Sequence, residues 1–183
     1  MKQNQQISEI ILVLLKYKKL HVREISKITS IPLSNTSRIM KCLIEQNVVD
    51  FKSEGKNKIF SIKNTLSALQ FVKIAEHYKF LTLLEMFPFF SSLLESVLSK
   101  SNSELVIIFG SYARLDPKIG SDIDIYISTR DKTIKKQIEM IHSKLSVKNG
   151  DFNPENLLVQ EIIKNHIIVR GVDSFYEKNK FSY

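Results

Sequence analysis

The chain has 183 residues, 43% of them hydrophobic and 25% charged, with a formal net charge of +8 and one cysteine, Cys42. This is an ordinary globular composition, and it excludes an intrachain disulfide framework. The apolar run 10–15 is too short for a signal peptide or a membrane helix, and the stretch 80–90 is interrupted by Glu85 and Pro88, so no membrane contact and a reducing, cytoplasmic setting are expected. Charge is unevenly placed. Residues 1–64 hold 12 Lys/Arg against 5 Asp/Glu, while the remaining 119 hold 15 against 14. Two modules are implied, the first basic and facing a polyanion, the second nearly neutral.

In chain order, Ile7, Ile10, Ile11, Leu14, Leu15 and Tyr17 fall along helical rows and predict a helix over 6–17. A second short helix fits 22–28, with Ile25 and Ile28 inward. Pro32 disfavours helix for the residue before it, and Ser34 is the expected N-cap of a third helix reaching about Gln46. Ile39, Met40, Leu43 and Ile44 line one face of that helix. Ser34, Asn35, Ser37, Arg38 and Lys41 lie on or near the other. Two alternating runs, 48–53 and 58–62, flank a turn at 54–57 that contains Gly55, which reads as a β-hairpin.

Three helices and a hairpin, carried by Val22–Ile28 and by Ser37–Val49, resemble the winged helix-turn-helix domains of prokaryotic regulators. The resemblance implies double-stranded DNA as partner, with the third helix in the major groove. Asn35, Ser37 and Arg38 are then the expected base contacts, and Lys41 with the hairpin lysines Lys52, Lys56 and Lys58 the phosphate contacts. The same fold also serves protein contacts or dimerisation.

Residues 64–100 hold no glycine and a dense apolar pattern. Asn64-Thr65 offers a helix start and Pro88 divides the run, giving two connecting helices. Phe87, Phe89 and Phe90 are expected in a core or a homodimer contact rather than a ligand pocket. The predicted domains are 1–63, the connector 64–103 and a C-terminal module 104–183.

The most informative segment is Leu105–Ser128. Ten residues separate the pair Gly110-Ser111 from Asp122-Ile123-Asp124. A short apolar strand delivers a tight Gly-Ser turn, and a second strand carries two carboxylates one residue apart. Side chains alternate across a strand, so Asp122 and Asp124 share one face and Ile123, Ile125 and Ile127 the other. Two carboxylates on one face repel unless a cation lies between them, and Mg²⁺ takes oxygen ligands while leaving positions for phosphates. The glycine-serine backbone can present N–H groups to an anion. Further on, 132–144 has helical periodicity, 145–148 reads as a strand, and Asn153-Pro154-Glu155 opens a helix to Asn165. A final strand at 167–169 and a closing helix at 172–178 complete an α+β module with a mixed sheet.

This segment resembles the DNA polymerase β-like nucleotidyltransferases, in particular their minimal branch, over roughly 104–180. The resemblance implies Asp122 and Asp124 as catalytic metal ligands, and Gly110, Ser111, Arg114 and Ser121 as nucleotide-binding residues, with Lys118 assisting. Mg²⁺ and a nucleoside triphosphate, ATP first, are the implied cofactors. Complete members project a third carboxylate from the strand after the helix. With Leu145 and Val147 inward, the matching positions here are Ser146 and Lys148, neither acidic; Asp151 is the nearest acid, and it could reach the site only if Asn149-Gly150 broke the alternation. Leu115 stands where the family usually has glycine, which predicts a stiffer or differently aimed loop. His21, His77, His142 and His166 make no metal spacing and are read as structural or solvated, and Tyr112 as packing beside the turn.

Two functions follow from the resemblance. The first is an enzyme that transfers a nucleotidyl group to a protein or RNA acceptor, by analogy a HEPN-type toxin. The second is a transcription regulator whose C-terminal module binds a nucleotide effector or a partner without turnover, a role the absent third acid favours.

Overall fold

The computed structural model describes residues 2–55 and 57–179. It divides into two compact units, the first running to Tyr78 and the second beginning at Lys79, so the division falls within a helix of the expected connector.

The first unit contains α1 (Lys2–Tyr17), β1 (Leu20–His21), α2 (Val22–Thr29), α3 (Leu33–Glu45), β2 (Val49–Glu54), β3 (Asn57–Ile62) and the start of α4 (Leu66–Met86). Its core is the apolar stripe of each helix: Ile10, Ile11 and Leu14 from α1, Ile25 from α2, and Ile39, Met40 and Leu43 from α3 are all buried. The strands form an antiparallel sheet in the order β1-β3-β2. β1 was not expected. It is two residues long, and two residues carry no readable period.

Four local expectations for this unit need correction. The first helix begins at Lys2, earlier than predicted, although its polar first turn has no apolar row to announce it. Ile28 is 43% exposed, not inward. The cap residue Ser30 is left-handed (φ 56°) and turns the chain so that Ile31, 4% exposed, takes the core place. Ser34 is not the N-cap of α3: Pro32 is, with its carbonyl accepting the Thr36 N–H at 2.9 Å, and Ser34 lies exposed in the first turn. The hairpin is also tighter than 54–57. Glu54 pairs with Asn57, leaving two residues in the bend, with Gly55 at φ +59°. Lys56, an expected phosphate contact, lies outside the described residues.

Thr65 starts α4 as the sequence suggests, its hydroxyl accepting the Ala68 N–H at 3.1 Å. Pro88 separates α4 from α5 (Phe90–Lys100).

The second unit adds β4 (Val106–Phe109), α6 (Gly110–Ala113), β5 (Ile123–Ile127), α7 (Lys132–Glu139), β6 (Leu145–Asn149), α8 (Leu157–Lys164), β7 (Ile167–Arg170) and α9 (Val172–Lys178). Its sheet is mixed, in the order β6-β5-β4-β7, with β5 and β6 parallel and the other pairs antiparallel. All four β4 residues are buried, as expected of a central strand covered on both faces. On one face Val106, Ile108, Ile123, Ile125 and Val147 share a core with Leu83, Phe90, Leu94, Val97 and Ile138. The other is partly covered by an aromatic chain: Tyr126 meets Phe152 (centroids 5.8 Å apart), and Phe152 meets Phe175 (5.4 Å).

α7 stops at Glu139 rather than continuing to 144, because the chain must turn at Met140–His142 to enter β6 alongside β5. α8 starts at Leu157 with Asn156 as cap, not at 153–155, because the Asn153 side chain accepts the Glu155 N–H at 3.0 Å and closes a turn there. No described helix is long and apolar enough to cross a membrane.

Gly171 joins β7 to α9 at φ +89°, and a Cβ there would collide with the Glu104 carbonyl. Both the left-handed backbone and the steric block oppose any side chain. Gly171→Ala is expected to destabilise the second unit by about 2–3 kcal/mol, read from urea or thermal unfolding.

Candidate functional site

Strand pairing builds the site. Phe109, the last residue of β4, faces Asp124 across the antiparallel ladder, so the next residue, Gly110, lies against the Asp124 side chain. Gly110 has φ +71°, and a Cβ on it would collide with Asp124 Oδ2. Glycine is therefore required twice over, by backbone conformation and by space. The turn it opens continues as α6, with the N–H groups of Arg114 (3.1 Å) and Asp116 (3.2 Å) folding back onto the Ser111 carbonyl.

Asp122 immediately precedes β5 and is exposed, whereas Asp124 is half-buried. Ile123, Ile125 and Ile127 are buried in the helix-covered core, so Asp124 and Tyr126 stand on the opposite face. The parallel partner strand sets Ser146 beside Asp124 and Lys148 beside Tyr126, while Leu145 and Val147 point into the core. Burial pushes the Asp124 carboxyl above its ordinary value. A hydrogen bond with Ser146 opposes that shift, Asp122 adds repulsion, and Lys148 and Arg114 offset it with positive charge. Asp122, Asp124, Ser146, Lys148 and Arg114 thus form one electrostatic cluster.

Asp151 belongs elsewhere. It lies past the end of β6, where Arg130 Nε donates to both its oxygens at 3.0 Å. That guanidinium holds the Asp151 carboxyl below the usual range. Tyr126 donates its hydroxyl to the Gly150 carbonyl at 2.8 Å, and burial, then the Asp151 charge, pushes its pKa up to about 12. Among the described residues, no group of three or more His, Cys, Asp and Glu side chains could hold a metal ion.

Ser121 and Lys118 close their own loop: the Ser121 hydroxyl accepts the Lys118 N–H at 2.9 Å, and the Ser121 N–H donates to the Lys118 carbonyl at 3.0 Å. Ser121 therefore shapes the approach to Asp122. Leu115 adopts φ +57°, the left-handed conformation glycine would favour, and its half-buried side chain packs on the core. The loop keeps a glycine-like path, at a cost of about 1–2 kcal/mol in backbone strain. Tyr112 packs edge-on against Phe87 (5.4 Å) and Phe90 (5.1 Å), with Phe89 beside it. His166 is buried against the Phe175 ring, and His142 accepts the Lys144 N–H in a turn; neither is a ligand in this cluster.

In the first unit, the Arg38 guanidinium donates to Asn35 Oδ1 at 2.8 Å, and the Asn35 amide donates to Gln6 at 2.7 Å. Asn35 is half-buried and aims Arg38; Ser37, Arg38 and Lys41 are exposed. The hairpin register places Lys52 and Lys58 on opposite faces. Lys52 stands opposite Ile59, while Lys58 shares the Phe51 side with its ammonium 3.9 Å from that ring's centroid. The Gln6 link joins residues far apart in sequence and gave no local signal.

Residues 93–174 match the family model described as Polymerase beta, Nucleotidyltransferase, a stretch that begins within α5 and ends early in α9. The search of curated proteins found no match, and neither did the search of solved structures. The match covers the acidic cluster and the Gly110 turn, so over that stretch the second unit is similar to a nucleotidyltransferase domain.

The raised Asp124 carboxyl yields a thermodynamic test. A carboxyl whose folded pKa is raised penalises folding when ionised. The penalty is absent below the unfolded pKa and complete above the folded one. Asp124→Asn is expected to raise the melting temperature at pH 7 without divalent ions and to give no gain near pH 3. Differential scanning fluorimetry across that pH range would register both outcomes.

Proposed function

We propose that the chain is a DNA-binding protein whose second unit binds a nucleoside triphosphate with Mg²⁺ and transfers its nucleotidyl group to a protein or RNA hydroxyl. The observation that carries this reading is the approach of Asp124 to Gly110, with Asp122 two residues earlier. The donor set fits the ion: two carboxylates supply hard oxygen ligands, and Asp124 is already raised by burial and by the Asp122 charge. When bound, Mg²⁺ would supply Lewis-acid charge at the triphosphate oxygens.

The chain's own residues provide the rest. Asp122 and Asp124 hold the ion, the Gly110-Ser111 backbone seats the β and γ phosphates, and Arg114 offsets their charge. Ser121, by closing the 118–121 turn, keeps Asp122 at the strand entrance. In the transfer, the acceptor oxygen bonds to the α-phosphorus as the bond to the β-phosphate oxygen breaks. Pyrophosphate leaves, and the acceptor proton passes to solvent. ATP is the first donor to test, and a HEPN-type ribonuclease a reasonable acceptor by analogy.

For the first unit, the order α1-β1-α2-α3-β2-β3 with its three-stranded sheet supports a winged helix-turn-helix. Arg38, held by Asn35, is the proposed base reader, with Ser37 beside it. Lys41 and the hairpin lysines Lys52 and Lys58 would meet phosphates, although their opposite faces mean the hairpin lysines cannot both do so from one side. A second reading, in which the nucleotide is an effector bound without turnover, is favoured by Ser146, which occupies the place beside Asp124 where another acid would help deprotonate an acceptor.

Incubation with Mg²⁺, α-labelled nucleotides and a lysate of the source cell separates these readings. Transfer of label by the parent but not by Asp122→Ala or Asp124→Ala supports the enzyme; saturable binding without transfer supports the effector; neither result removes both. On duplex DNA, Arg38→Ala should cost about 1–3 kcal/mol, and Lys41→Ala should reduce the salt slope by about 1, both by gel shift across a salt series. Unchanged affinity in both variants would remove the DNA-binding reading.

A further inference from the structure

We infer that the site admits one divalent cation per chain, held between Asp122 and Asp124, and that Ser146 is the residue that keeps a second one out. The inference rests on the nucleotide-site reading above and adds the number of ions and the residue that sets it.

Parallel pairing puts Ser146 directly beside Asp124, on the face left by the inward Leu145 and Val147. A hydroxyl there is a neutral donor. It acts on the Asp124 carboxylate as a hydrogen-bond donor and brings no negative charge of its own to a second ion. The next side chain along β6 on the same face is Lys148, an exposed ammonium whose charge acts on Asp124. The Arg114 charge acts on Asp124 in the same sense.

The acid that follows β6 is committed elsewhere, since Asp151 is gripped by Arg130 beyond the end of the strand. Among the described residues, Asp122 is the acid whose charge acts on Asp124, and the two formal charges of that pair match one divalent ion. Paired metal sites place their ions about 3.5–4 Å apart. At that distance two divalent ions repel four times as strongly as two unit charges. Here Ser146 stands beside Asp124 in place of a third carboxylate that would offset the repulsion, and the Lys148 ammonium would add to it. The geometry points to a mononuclear site in which Lys148 stands on the flank a second cation would take.

Manganese provides the count directly. The full chain, with a non-hydrolysable α,β-methylene ATP analogue, would be titrated with Mn²⁺ by equilibrium dialysis, and the bound ion examined by electron paramagnetic resonance. The expected result is one Mn²⁺ per chain with an uncoupled spectrum, and two Mn²⁺ with a spin-coupled spectrum for Ser146→Asp. Two ions on the parent would overturn the inference while leaving the nucleotide site intact. A Ser146→Asp variant that melts cooperatively yet still binds one ion would overturn the assignment of Ser146. Binding unaffected by Asp122→Ala, or no binding by the parent, would instead remove the underlying nucleotide-site reading. The parent's count decides the stoichiometry even if the aspartate variant fails to fold.

Discussion

A single backbone pairing, Phe109 opposite Asp124, sets the positions of most of the chemically interesting atoms in the second unit. It places the left-handed Gly110 against a carboxylate that a Cβ would displace. The antiparallel β4–β5 pair also fixes which β5 residues face the helix-covered core and which face outward. Because the side-chain period of a strand is two, a slip of one residue would bury the aspartates and expose the isoleucines. The depth of the core on that face, from Leu83 and Phe90 to Ile138, makes such a slip costly.

The electrostatics of the cluster follow from this pairing. Burial raises the Asp124 carboxyl and Asp122 adds repulsion, yet Ser146, Lys148 and Arg114 all act in the opposite direction. The site is thus partly neutralised by the protein itself. Leu115, bent into a glycine-like conformation and anchored by its own burial, holds the loop between turn and strand at some cost in strain. Ser121 closes the other end of that loop.

The first unit shows a similar division between aiming and contacting groups. Asn35 donates to Gln6 and accepts from Arg38, which narrows the positions open to the guanidinium. His21 fixes the corner beneath the hairpin, approaching the Lys58 carbonyl with Nδ1 at 3.0 Å while its backbone N–H donates to Glu24.

Much of this was legible in the residues. The hydrophobic period announced the helices of both units except the short α6, which was expected as a turn; the apolar runs gave β4 to β7, and the Gly-Ser and Asp-x-Asp spacing marked the acidic cluster. Alternation alone also predicted that Ser146 and Lys148, not an acid, would stand on the outward face of β6. Other features depended on contacts between distant segments. The two-residue β1, the replacement of Ile28 by Ile31 in the core, the Gln6–Asn35 link and the commitment of Asp151 to Arg130 have no signature in a local window. Sequence alone determined which residue types recur at which period, because periodicity is a property of neighbours along the chain. Only the tertiary structure decided which carboxylate meets which partner, because that depends on strand register and on side chains brought together from opposite ends of a unit.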